Sequence, residues 1–209
     1  MVSRACLEFA KTLRGETDHA MIMKLNLDSP DLALMAYEPG AYAFYRWDDI
    51  AVNVWLSHPT GEAVRVLARL TEESSQCNPQ GLSSIHWIEN AAGLPTPDAR
   101  HELAEIVRHY EGHIICVAVL LRGSGFWASA VRSALTGVAL LSPKRFPLRF
   151  FADLPGLSSF VEHEHQQRVG QSPRSTRIAT FVTSAAHHVT TLTRGGGPLD
   201  LGYSRDRPR

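Results

Sequence analysis

Hydrophobic and polar positions follow one another along the chain in blocks that predict alternating strands and helices. Residues 41–46 and 50–56 are rich in aromatic and β-branched side chains with an acidic pair between them, which predicts a hairpin. Residues 114–121 form a continuous apolar run, typical of a central strand that is covered on both faces. Residues 82–89 and 146–153 predict two further strands.

Helices are predicted between these strands. Thr60 precedes a segment with apolar residues at helical spacing, and Thr96 precedes Pro97, so both threonines are expected to cap a helix N-terminus. Two more helices are predicted, over 126–141 and over roughly 157–167. The order is ββαβαβαβα, because each of the last strands is reached through a helical crossover. We therefore expect an α/β fold with a mixed central sheet of about five strands flanked by helices.

The ends of the chain carry weaker signals. Residues 1–23 are expected to form an N-terminal arm, and residues 24–168 a single α/β domain whose first part is an acid-rich lead-in. Residues 169–209 are rich in Ser, Thr, Arg, Gly and Pro, which predicts a basic, mostly disordered tail. Apolar residues recur at helical spacing in 178–192, but the threonines between them are poor helix formers. The alternative to a disordered stretch is that residues 178–192 become ordered only when they bind a partner.

The composition narrows the class of protein. The chain has 209 residues, of which 44% are hydrophobic and 20% charged, as in a globular domain. The formal net charge of +0 attracts neither nucleic acid nor an anionic membrane, so only the tail is a candidate for nucleic acid. No apolar run is long enough for a bilayer span, no apolar leader is visible, and the three cysteines are widely spaced. We expect reduced thiols, a cytoplasmic protein and no membrane partner.

The element order resembles that of a known superfamily. A hairpin, three βα steps and a final helix, together with the sequences at 55–60 and 123–126, are similar to the STAS superfamily, typified by the anti-sigma-factor antagonists, and to its STAS-like relatives in bacteria. The resemblance extends over about residues 24–168 and implies a non-enzymatic protein-interaction domain that often answers to phosphorylation. The antagonists carry a phosphorylatable Ser in a D-x-S-G-like run. Residues 89–96 occupy that place here and contain no serine.

Thr96 is the hydroxyl that remains near the expected helix start, and two roles are open for it. As an N-cap it stabilises the helix by about 1 kcal/mol. A phosphate at the same position would lie at the positive end of the helix dipole, which makes Thr96 a candidate phosphorylation site.

A second candidate site is the loop that follows the apolar strand at 114–121. Such a strand-to-helix loop exposes backbone N–H groups to anions, and open α/β sheets bind ligands at this edge. The sequence matches neither a nucleophile elbow nor a phosphate-binding loop, so a plain turn is the alternative. The candidate binding residues are Arg122, Gly123, Ser124, Gly125 and Phe126.

Metal-ligating residues occur without the required spacing. His101 and Glu102 begin like a zinc-protease motif, but Glu105 stands where the second histidine belongs. His163 and His165 would point about 200° apart on a helix. We therefore predict no metal, no cofactor and no catalytic residue, and a Ser, His and Asp set cannot be nominated without distances.

Two functions remain open from the sequence. The first is a non-catalytic regulatory or scaffold module of STAS-like fold, which binds another protein or a second copy of itself through a helix face and the loops around Thr96 and Ser124. The alternative is a small-anion or small-ligand binding protein, or an enzyme, that uses the Gly123–Phe126 loop.

Overall fold

The computed structural model describes residues 33–140, 146–171 and 173–194. Within these residues, six strands and five helices follow one another in the order βββαβαβαβαα. The strands are β1 Ala33–Glu38, β2 Tyr42–Trp47, β3 Ile50–Trp55, β4 Leu82–Ile88, β5 Ile114–Leu121 and β6 Leu148–Phe151. The helices are α1 Gly61–Cys77, α2 Pro97–Tyr110, α3 Gly125–Leu140, α4 Leu154–Val169 and α5 Ser175–Arg194.

All six strands form one mixed sheet, and their order in the sheet is their order in the chain. β1, β2 and β3 pair antiparallel, whereas β3, β4, β5 and β6 pair parallel. Each crossover moves on to the next strand in the same direction. Because right-handed crossovers then all pass over the same side, α1, α2 and α3 cover one face of the sheet, and α4 and α5 cover the other.

The sheet separates two apolar cores. Phe44 and Val119 pack with helices α1, α2 and α3 on the first face. Val52 and Ile85 pack with α4 and α5 on the second face. Strand β5 supplies residues to both cores, and every residue in it except Val117 is buried. This confirms the prediction of a central strand covered on both faces.

Two helix starts follow from local sequence signals. Thr60 Oγ1 accepts the N–H of Ala63 at 3.2 Å, at the beginning of α1. Thr96 Oγ1 accepts the N–H of Ala99 at 3.3 Å, at the beginning of α2. Each threonine satisfies a backbone donor that has no partner within its helix. The predicted capping role is therefore confirmed for both.

The mixed α/β fold is confirmed with one strand more than the sequence predicted. β1 lies in the stretch that was expected to be only a lead-in to the domain. Leu34 in this strand is buried, but the pairing with β2 shifts register between Leu34 and Ala36. The shift interrupts the alternation of inward and outward side chains by which a strand is recognised in a sequence.

The segment after α4 differs most from the prediction. Residues Ser175–Arg194 form a helix in place of the expected disordered tail. Burial of an apolar side chain contributes about 2 kcal/mol, whereas a residue of poor helix propensity costs less than about 0.7 kcal/mol, so packing outweighs the threonines. The expectations for residues 1–23 and 195–209 lie outside the described residues. The side chains of α5 that are buried against the sheet are Ile178, Phe181, Val182, Ala185 and Val189.

The cysteines do not all match the expected reduced state. Cys77, at the end of α1, is disulfide-bonded. The expectation of reduced thiols is therefore wrong for Cys77. Cys116 is a free thiol, and burial raises its pKa to about 12, so it remains protonated and unreactive. In the described part of the chain, none of the helices has the length and apolar character of a bilayer span.

The packing of α5 leads to a direct test. Val182 is fully buried and Thr183 is exposed on the same helix. Val182→Asp places an unpaired carboxylate in the core and is expected to lower the free energy of unfolding by about 4 kcal/mol or more. Thr183→Asp, the control, should change it by less than about 1 kcal/mol. Guanidinium unfolding followed by circular dichroism measures both, and equal midpoints for Val182→Asp and the unmodified protein would mean that α5 does not pack.

Candidate functional site

A cavity of about 110 Å³ lies between the sheet and helices α1, α2 and α3. Strands β3, β4, β5 and β6 form its floor, and Pro59, Gly93 and Pro95 close one end. Protein interiors are close-packed, so a space of this size beside the core is large enough to admit a small molecule. The helix side chains that line it are Leu67, Leu103, Ile106, Val107, Val131 and Leu135.

The cavity follows from the side chains that face it. Helix α3 is rich in alanine and serine. Among its residues whose side chains the structure describes, Ala128 and Val131 are buried. The α3 side chains that line the cavity are Val131 and Leu135. On the opposite wall, Val117 of β5 is half-buried although it lies in the central strand, because it faces this space.

A row of polar side chains crosses the cavity floor from β3 to β4. Asn53 Nδ2 donates to Ser84 Oγ at 3.1 Å. Ser84 Oγ lies 3.1 Å from Nε2 of His86, and Trp55 Nε1 donates to Nδ1 of His86, also at 3.1 Å. Parallel pairing of the two strands places Asn53 opposite His86 and so brings the four residues into contact.

Trp55 determines the direction of the two hydrogen bonds that His86 makes. Its indole N–H donates and cannot accept, so Nδ1 of His86 must carry a lone pair. A neutral imidazole then holds its proton on Nε2, which donates to Ser84 Oγ. A protonated ring would point an N–H at the N–H of Trp55.

His86 is accordingly neutral. Burial lowers its pKa from the ordinary value of 6.5 to about 4. The part of its surface that the protein leaves uncovered lines the cavity. Thr71, another polar residue of the lining, donates its hydroxyl to the carbonyl of Leu67 at 2.8 Å. Among the described residues that line the cavity, none therefore carries a formal charge at neutral pH.

Thr96, the first residue singled out from the sequence, lies at the same end of the cavity. Besides capping α2, it donates its backbone N–H to the carbonyl of Pro59 at 3.1 Å. The preceding residue, Pro95, lines the cavity together with Pro59. Thr96 therefore holds two loops together where the cavity closes. Phosphorylation of its hydroxyl stays a prediction.

The loop after β5 has structural reasons for its glycines. A side chain on Gly123 would collide with Asn90 and with the ring of Trp127. Gly125 has φ +68°, the left-handed region that favours glycine. Trp127 in turn donates its indole N–H to the carbonyl of Ala92 at 2.8 Å, which joins this loop to the one after β4.

The remaining predicted site residues do not converge on one point. The guanidinium of Arg122 lies 5.0 Å above the ring of Trp87, which packs toward the core under α4 and α5. Ser124 is exposed in the loop, and Phe126, in the first turn of α3, is 88% exposed. Anion binding by this loop stays a prediction.

The structure also contains a Ser, His and Asp arrangement that distances alone reveal. Ser83 Oγ lies 3.0 Å from Nδ1 of His165, and Nε2 of His165 lies 3.1 Å from Asp49 Oδ2. Ser83 is fully buried and His165 is 2% exposed, so no substrate can reach the hydroxyl. The arrangement connects the turn before β3, strand β4 and helix α4, and its role is structural. In the described segments no cluster of His, Cys, Asp or Glu is placed to hold a metal ion.

The polar row was missed by sequence reasoning, although a signal was present. Ser84 and His86 are two residues apart in a strand and therefore share a face. Asn53 interrupts an otherwise apolar strand. Buried polar residues on neighbouring strands usually contact one another, but the pairing register that joins them is not visible in the sequence.

Comparison with known proteins does not assign the chain to a family. No protein-family model matches the chain, and no curated protein matches it. The STAS resemblance therefore stays a prediction that rests on element order.

The depressed pKa of His86 predicts how stability depends on pH. Above pH 6.5 the residue is neutral in the folded and the unfolded chain. Between pH 6.5 and about 4 only the unfolded chain binds the proton, so His86 lowers the free energy of unfolding by roughly 3 kcal/mol over this range. His86→Gln cannot titrate and should lose that much less stability between pH 7 and pH 4.

Urea unfolding at the two pH values measures this difference. The control is His101→Gln, which changes an exposed histidine on α2 and should follow the unmodified protein. An identical loss of stability in His86→Gln and the unmodified protein would contradict a buried neutral His86.

Proposed function

We propose that this protein binds a small, neutral, mostly apolar molecule in the cavity between the sheet and helices α1, α2 and α3. The observation that carries the proposal is the cavity of about 110 Å³ with an uncharged lining and a polar row on its floor. Binding sites for small molecules are typically concave, apolar and equipped with a few placed polar groups. An engineered apolar cavity of about 150 Å³ binds benzene, which indicates the scale of ligand that fits.

The energetics favour an occupant. A ligand in the cavity would gain dispersion contacts with the apolar side chains that line it. A charged ligand is disfavoured, because an ion that leaves water needs a partner charge and the described lining offers none. A probe of about six non-hydrogen atoms is expected to bind in the micromolar range or more weakly.

The interaction module implied by the element order is a second proposal. Its support is a pair of exposed apolar side chains at the carboxyl edge of the sheet, Phe126 in the first turn of α3 at 88% and Leu94 in the loop after β4 at 47% exposure. A protein partner would bury them. The two proposals are compatible, since Leu94 belongs to the loop whose neighbours Gly93 and Pro95 close the cavity.

A substitution that fills the cavity tests the first proposal. Benzene is expected to shift the methyl NMR signals of Val and Leu residues that line the cavity and to raise the melting temperature. Val117→Phe extends a ring from the floor into this space and should abolish both responses without loss of stability, because it replaces empty volume. Val131→Phe, from the helix side, should do the same.

Val169→Phe is the matched control, because Val169 packs against the core on the opposite face of the sheet. Its response to benzene should equal that of the unmodified protein. Absence of any response to benzene in the unmodified protein would reject the ligand-binding proposal and leave the interaction module.

A further inference from the structure

We infer that the ligand carries a neutral hydrogen-bond acceptor, such as a ketone or ether oxygen, that receives the hydroxyl proton of Ser84. The inference rests on the proposed function and specifies the chemical class of the ligand. It follows from the way in which the buried polar row uses its donors and acceptors.

The two acceptor positions of the Ser84 hydroxyl are occupied. One receives the amide N–H of Asn53, and the other receives the Nε2–H of His86, each at 3.1 Å. Nε2 of His86 carries the proton because Nδ1 accepts the hydrogen bond from the indole N–H of Trp55. One O–H donor is then left on Ser84, because Asn53 presents its amide N–H, and not its carbonyl oxygen, to this hydroxyl.

The position of Ser84 restricts where this proton can go. Ser84 lies on β4 with Ala51 of β3 and Val117 of β5 as its neighbours across the sheet, and both neighbours are apolar. Its side chain lines the cavity. Ser84 is half-buried, and a ligand seated on the floor would exclude water from its hydroxyl, so an acceptor on the ligand at this point would be favoured.

A carbonyl or ether oxygen fits this donor better than a charged group. A carboxylate would bring a negative charge into a lining whose described residues carry no positive one, and His86 resists protonation. A pure hydrocarbon would leave the Ser84 proton unpaired. A neutral molecule with an apolar body and one oxygen satisfies both conditions.

Water is the competitor for the same proton. A second space of about 20 Å³ also touches Ser84 and Asn53 and has room for a single water molecule. A water held there would accept the proton and remove any preference for an oxygen on the ligand. The experiment separates these cases.

The test compares two probes of the same shape, cyclopentanone and methylenecyclopentane, titrated into the full chain and followed by NMR. In the unmodified protein the ketone is expected to bind about fivefold more tightly, the effect of one net hydrogen bond. Ser84→Ala should remove this preference while methylenecyclopentane still binds. Ser84→Thr keeps the hydroxyl and should keep the preference.

Each other result overturns the inference. Equal affinity for the two probes in the unmodified protein, or a preference that survives in Ser84→Ala, rejects the role of Ser84 and leaves the apolar binding site intact. Failure of both probes to bind rejects the proposed function together with this inference.

Discussion

An indole N–H donates a hydrogen bond and cannot accept one, and this constraint orders the floor of the cavity. Because Trp55 donates to Nδ1 of His86, the lone pair of the neutral ring lies on Nδ1 and its proton on Nε2. The Nε2–H then donates to the hydroxyl oxygen of Ser84. Trp55 and Asn53 are buried and Ser84 and His86 are half-buried, and a reversed bond at His86 would bring two donors face to face. The neutral state of His86 derives from this donor, and the free hydroxyl proton of Ser84 derives from it together with the amide N–H of Asn53.

The topology decides where this row is found. Because the parallel strands are added in chain order, all three crossover helices lie on one face, and the cavity lies between them and the sheet. The opposite face is filled by α4 and α5, with Val182 and Phe181 buried against it. The same sheet thus has one closely packed face and one that contains a cavity.

The parts of the fold that were predicted correctly depend on local signals. Thr60 and Thr96 cap their helices, and the apolar run of β5 forms a doubly covered strand, because each signal is contained in a few neighbouring residues. β1 was missed because a register shift obscures its alternation, and α5 because its stability comes from packing that its own sequence does not report.

The residues of the candidate site also divide into those that local sequence signals indicate and those that only the folded chain brings together. The residues 122–126 were chosen from local turn chemistry, and the structure gives their glycines local roles. Asn53, Ser84 and His86 acquire their relation only when β3 and β4 pair in one register. Pairing of distant strands is a property of the folded chain as a whole, so a pattern of single residues indicates a buried polar group without identifying its partners.

The protonation state of His86 tests this account most directly, and long-range ¹H–¹⁵N NMR correlations of its ring measure it. We expect a neutral ring at pH 7 with the proton on Nε2 and an unprotonated Nδ1, and the same spectrum until the pH approaches about 4. A proton on Nδ1, or an imidazolium already present at pH 6, would contradict the proposed order of donors and acceptors and the ligand chemistry inferred from it.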